Sequence, residues 1–129
     1  METYSKQEII DLYNLPLMEL IYRAAQVHRE HHDPSKIQVS TLISIKTGGC
    51  PEDCGYCPQA ARYHTSIEKN DLLPYETVIG MARRAKENGS SRVCMGAAWR
   101  NVREGEDFEK VLKMVRGLSE LDMEVCCTL

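Results

Sequence analysis

Ile37-Gln-Val-Ser-Thr-Leu-Ile-Ser-Ile-Lys46, running without a break into Thr47-Gly-Gly-Cys-Pro-Glu-Asp-Cys-Gly-Tyr-Cys-Pro58, is the stretch on which the fold turns. Its first part alternates strictly, with Ile37, Val39, Thr41, Ile43 and Ile45 on one side and Gln38, Ser40, Leu42 and Ser44 on the other. That period of two predicts a strand from Ile37 to Lys46. Downstream, Pro74 stands near the start of a predicted helix carrying Val78, Ile79, Ala82 and Ala85, and Gly89 stops it. A second strand is expected from about Arg92 to Ala98, then a helix marked by Phe108, Val111, Leu112, Val115 and Leu118, then a third strand from Glu124 to Leu129. Upstream, Ser5-x-x-Glu8 has capping-box form, Asn14-Leu-Pro16 interrupts the periodicity, and Leu17, Leu20, Ile21 and Ala24 resume it up to Asp33-Pro34. The order β-α-β-α-β argues for parallel strands with helical crossovers, and among such folds the barrel places its chemistry at the C-terminal strand ends. A complete barrel has about eight strands and ~250 residues. The chain therefore reads as α/β, the N-terminal part of one TIM-type (β/α)8 barrel domain. Residues 1–36 would be a helical extension and 37–129 the first three barrel strands.

The loop after the first strand carries Cys50, Cys54 and Cys57. Structural zinc takes four protein ligands, and ordinary electron-transfer iron-sulfur clusters are likewise held by four cysteines. A C-x3-C-x2-C loop that stops at three leaves one metal position for a ligand that is not protein. With Tyr56 just before the last cysteine, the loop resembles the signature of the radical S-adenosylmethionine superfamily. In that superfamily the open iron chelates S-adenosyl-L-methionine, which is cleaved reductively to methionine and a 5'-deoxyadenosyl radical. The competing reading is a structural zinc module closed by His64 or Cys94. Gly48-Gly49 and the flanking Pro51 and Pro58 fit a loop wrapped closely round a cuboidal cluster better.

In a barrel the helices cover the outside, so the apolar face of each strand points outward. Parity then turns Gln38, Ser40, Leu42 and Ser44 inward on the first strand. On the second it turns Arg92, Cys94, Gly96 and Ala98 inward, and on the third Glu124, Cys126 and Thr128. A lone buried cysteine is usually a small hydrophobe. Two thiols converging beside Arg92 form a second metal-sulfur candidate, with the arginine expected to lower thiol pKa and Ser40 to supply hydrogen bonds. Cys127 points the other way and is expected to pack against a helix.

The 129 residues, 43% hydrophobic and 27% charged, suit one globular unit with a modest core. Six cysteines fall below the ~8–10% of a disulfide scaffold, and neither a signal segment nor a long apolar span is visible, so a reducing cytoplasm is expected. A net charge of −3 with scattered Lys and Arg favours a small-molecule substrate, with neither nucleic acid nor membrane as partner. His28, His31 and His32 have chelating spacing, but near a helix C-terminus they read as solvent-facing. Met18, Met81 and Met114 read as core filler.

A wider match then comes into view. Val39 to Gln59, Arg62-Tyr63, Cys94-Met-Gly-Ala-Ala-Trp99 and Cys126-Cys-Thr-Leu129 closely resemble the biotin synthases. That resemblance implies a homodimeric radical enzyme that inserts sulfur into dethiobiotin, the last step of biotin formation, fed by a flavodoxin-type electron donor. It implies that Cys50, Cys54 and Cys57 bind a 4Fe-4S cluster, and that Cys94 and Cys126 are two ligands of a 2Fe-2S sulfur donor with Ser40 and Arg92 around it. Tyr56 and Gly96, Ala97 and Ala98 match the parts that contact S-adenosyl-L-methionine. The unactivated C–H bonds that gain sulfur are beyond any side-chain base at neutral pH, which explains the radical equipment. The resemblance also implies that one further cysteine and an arginine ligate the second cluster from strands this sequence does not contain. The chain by itself is therefore expected not to form biotin, and to present a strand edge prone to association.

Overall fold

The computed structural model describes residues 3–101 and 103–129 as two compact units, 1–37 and 38–129 by chain position. The first unit holds α1 (Lys6–Tyr13) and α2 (Leu17–His31). The Ser5 side chain accepts the Glu8 backbone N–H, while the Glu8 carboxylate accepts from the Ser5 N–H and hydroxyl at 2.7 Å each. Pro16 starts α2, where its missing N–H costs nothing, and His32 ends it. Met18, expected in a core, is 73% exposed, because α2 buries no residue at all. His28, His31 and His32 lie at the exposed C-terminal end of that helix.

An isolated helix as short as α1 is marginal, so its cap matters. The Ser5 hydroxyl, and then its backbone N–H, hold the Glu8 carboxyl below its ordinary value. A depressed folded-state pKa means that the stabilisation is complete above the unfolded value of about 4.3 and is lost as pH falls through the folded one. The protection of the α1 amides, measured as exchange relative to the intrinsic rate at each pH, should therefore fall on acidification into that range. In Glu8→Gln, which cannot titrate at that position, the part of this loss that belongs to Glu8 should be absent.

The second unit is a three-stranded parallel sheet, β1 (Ser40–Lys46), β2 (Arg92–Ala97) and β3 (Glu124–Thr128), in the order β1-β2-β3. Helices α3 (Tyr75–Glu87) and α4 (Glu106–Glu120) make the two crossovers. The alternation sorts the faces as read: Ile43, Ile45, Val93 and Met95 are buried, while Ser40, Leu42 and Ser44 are exposed. Against the buried face α3 sets Val78, Ile79 and Ala82, and α4 sets Val111, Met114 and Leu118. Gly117 lets the two helices approach, since a Cβ there would stand 2.3 Å from the Tyr75 hydroxyl.

Several boundaries differ from the sequence reading. β1 starts at Ser40, not Ile37, because its neighbour begins only at Arg92, and Ile37 is left 84% exposed. β2 ends at Ala97, and Ala98, just beyond it, is buried. A register shift between Ser44 and Lys46 pairs Lys46 with Ala97 at this end of the sheet. Cys127 has the expected parity but is exposed, not packed. Among the described residues no helix is long and apolar enough to cross a membrane, and the outer edges of β1 and β3 carry no partner strand.

Candidate metal centre

The cysteine loop leaves β1 through two glycines with left-handed backbone, Gly48 at φ 72° and Gly49 at φ 65°. Cys50 is then fixed on both sides of its peptide group. Its N–H donates to the Gln59 carbonyl at 2.9 Å and its carbonyl accepts from Ala61 at 2.8 Å, while the Gln59 side chain accepts the Gly48 N–H at 3.0 Å. The rest of the loop is a tight turn, closed by Cys57 N–H on the Cys54 carbonyl at 3.1 Å. Two ion pairs tie its carboxylates down. Arg100, beyond β2, reaches Glu52 at 2.6 Å, and Arg62 pairs with Asp53 while stacking over Tyr63. Cys50 is buried, Cys57 half-buried and Cys54 exposed, and Tyr56 is 93% exposed. Among the described residues no three His, Cys, Asp or Glu side chains are gathered into a metal-holding group. His64 is exposed, and the Cys94 sulfur lies 3.0 Å from that of Cys126.

The open face of the sheet carries the second group. Cys94 and Cys126 are partners in the parallel register, and their sulfurs stand 3.0 Å apart. Two register positions back, on the same face, Arg92 is in register with both Ser40 and Glu124. Its guanidinium donates through Nη2 to the Glu124 carboxylate, which also accepts from the Gln38 amide. The Arg92 Nε–H is buried and has no acceptor. The expectation that Arg92 would lower the thiol pKa is corrected for Cys94. Its hydrogen bond with Cys126, and then burial, push it up, and the arginine's opposing pull is smaller.

The residues fit a sulfur-bound anionic group on this face. Two soft donors converge, and a buried cationic N–H beside them lacks the acceptor that buried donors normally find. Gly96 adjoins them on the face, its nearest prospective neighbour being a Leu42 methyl 3.9 Å from an added Cβ. Ala97 is half-buried at the strand end, and Ala98, whose N–H donates to the Lys46 carbonyl at 3.0 Å, is buried just beyond it. Sequence reading does not single out Glu124, Gln38, Gln59 or Arg100. For Glu124 the signal is present, an acid and an arginine with the same inward parity on adjacent strands.

No protein-family model matches the chain. Among curated proteins it is 68% identical over 126 residues to biotin synthase of Christiangramia forsetii, and 60% and 59% identical over 126 residues to the biotin synthases of Cytophaga hutchinsonii and Nostoc punctiforme. In each case 98% of the chain is covered. The chain spans only 35% to 38% of the length of these relatives. Over the part of those proteins that it spans, the chain belongs to the biotin synthase family.

Proposed function

We propose that this chain contributes the cluster-binding part of a radical S-adenosylmethionine barrel that inserts sulfur into dethiobiotin. The observation that carries the reading is the in-register Cys94–Cys126 pair on an open polar sheet face, next to a strand that feeds the three-cysteine loop. Cys50, Cys54 and Cys57 would hold a 4Fe-4S cluster, and Cys94 and Cys126 would supply two ligands of a 2Fe-2S cluster. When bound, these groups with S-adenosyl-L-methionine supply one-electron cleavage chemistry and a source of sulfur.

The chain's own residues hold and shield. Cys50 is the rigid member of its trio, pinned by backbone hydrogen bonds to Gln59 and Ala61. Arg100 and Arg62 neutralise the Glu52 and Asp53 carboxylates that precede Cys54. Tyr56 offers an exposed ring for a nucleoside base, and Gly96 leaves the face free of side chain where the methionine end would lie. Arg92 keeps positive charge on the face of the sulfur pair and Ser40 a hydroxyl opposite it in register. The family reading brings with it a homodimer, a flavodoxin-type electron donor and a cytoplasmic setting.

Anaerobic reconstitution of the chain with iron and sulfide tests this. The expected product is brown, with broad visible absorption, and its reduced form gives an EPR signal that changes when S-adenosyl-L-methionine is added. A colourless chain with stoichiometric zinc on Cys50, Cys54 and Cys57 overturns the proposal.

A further inference from the structure

We infer that Glu124 is a positioning residue: it clamps one side of the Arg92 guanidinium so that the Nε–H is left for an anionic sulfur ligand of Cys94 and Cys126. The inference rests on the reading of these cysteines as a metal-sulfur pair.

Three observations on one sheet face converge. Arg92 spends its Nη2 on Glu124, its cross-strand partner in the register. Glu124 is held in turn by the Gln38 amide, so the carboxylate is fixed from two sides and cannot follow the guanidinium if that rotates. The Nε–H of the same arginine is buried without an acceptor, although buried donors are normally paired. An acceptor brought by a ligand would pair it, and the groups two register positions along, on the same face, are the two thiols, 3.0 Å apart. A thiolate or bridging sulfide is an acceptor of the right charge for a guanidinium N–H. Glu124 itself does not touch the sulfurs; its carboxylate is occupied by Arg92 and Gln38. It acts through Arg92 by removing the rotational freedom that a long arginine otherwise has.

The test follows the Arg92 Nε–H by nitrogen-15 NMR in the 129-residue chain, with Cd2+ alone as the probe of the sulfur pair. In the wild-type chain, Cd2+ is expected to shift this resonance and slow its exchange with water. Cys94→Ser should abolish the response. Glu124→Ala should also abolish it, while the part of the thiolate-to-cadmium absorption that Cys94→Ser removes persists. Glu124→Gln, which keeps an oxygen acceptor without the charge, should retain it, and it serves as the second variant should the alanine form unfold. If the shift survives in Glu124→Ala or is lost in Glu124→Gln, the positioning role is overturned while the sulfur-pair reading stands. The positioning role is equally overturned if Cys94 and Cys126 bind Cd2+ and the wild-type resonance does not move. Failure of Cd2+ to bind Cys94 and Cys126 overturns both.

Discussion

Ile45→Ala is expected to bring the sheet unit to the edge of unfolding, whereas Leu42→Ala, three residues earlier on the same strand, is expected to leave it nearly unchanged. Ile45 is fully buried among the residues that α3 and α4 press against the sheet, and its carbonyl accepts the Leu73 N–H at 2.8 Å. Removing its branched side chain costs the transfer energy plus the cavity left behind, about 2–5 kcal/mol in total. Small domains are stable by about 5–15 kcal/mol, and a sheet of three short strands under two helices belongs at the low end. Leu42 is 73% exposed, and substitutions at such sites usually stay within about 0.5 kcal/mol. Urea unfolding followed by circular dichroism reads the difference directly. At a slope of about 1–2 kcal/mol/M the Ile45→Ala midpoint should fall by about 1 M or more. Equal losses for the two variants would mean that the faces of β1 are not divided as described.

That division is legible in the sequence, because a period of two needs only one strand to be read. The stripe of α3 is equally plain, and Val78, Ile79, Ala82 and Ala85 are its buried residues. α4 is less legible. Its buried line is Val111, Met114, Gly117 and Leu118, while Phe108, Leu112 and Val115 flank it half-buried. Methionine and glycine carry weak periodic signals, and Gly117 is selected by how closely Tyr75 approaches, which no local pattern encodes.

The site divides in the same way. Equal parity puts Cys94 and Cys126 on one face, but their direct opposition depends on register, which is set by where β2 and β3 begin. Ala98 lies beyond the last strand residue, Ala97, where the period of two has no strand to act on. Arg100 and Glu52 meet across 48 positions of sequence from two irregular segments, and nothing periodic links them. The pKa of Cys94 departs from expectation for a physical reason. Sequence parity shows the arginine's charge alone, and a neighbouring thiol at hydrogen-bonding distance outweighs it.

Gly48→Ala should cost the cysteine loop its shape, and with it the capacity to take up iron. Two penalties fall on the same residue. At φ 72° an alanine sits in the left-handed region, at about 1–3 kcal/mol. Its Cβ would also stand 2.9 Å from the Glu68 carbonyl oxygen and 3.1 Å from the Lys69 Cα, both main-chain atoms that cannot swing aside. Relieving that contact costs about 1–3 kcal/mol more. The cheapest relaxation shifts Gly48 away from residues 68 and 69, which strains its hydrogen bond to Gln59 and loosens the frame that fixes Cys50. Gly49 offers a milder comparison. Its φ is also positive, but an added Cβ would meet only the Lys69 side chain, which can move. Gly55, between Cys54 and Tyr56, is the control, because nothing lies within 4 Å of an added Cβ there and its φ is not in the left-handed region. Iron bound per chain after anaerobic reconstitution is the readout. For the iron held by the three-cysteine loop, the expected order is near-complete loss for Gly48→Ala, partial loss for Gly49→Ala and wild-type uptake for Gly55→Ala. Full uptake by Gly48→Ala would show that the thiols are placed without the turn, and that the hydrogen bonds between Cys50 and residues 59–61 suffice alone.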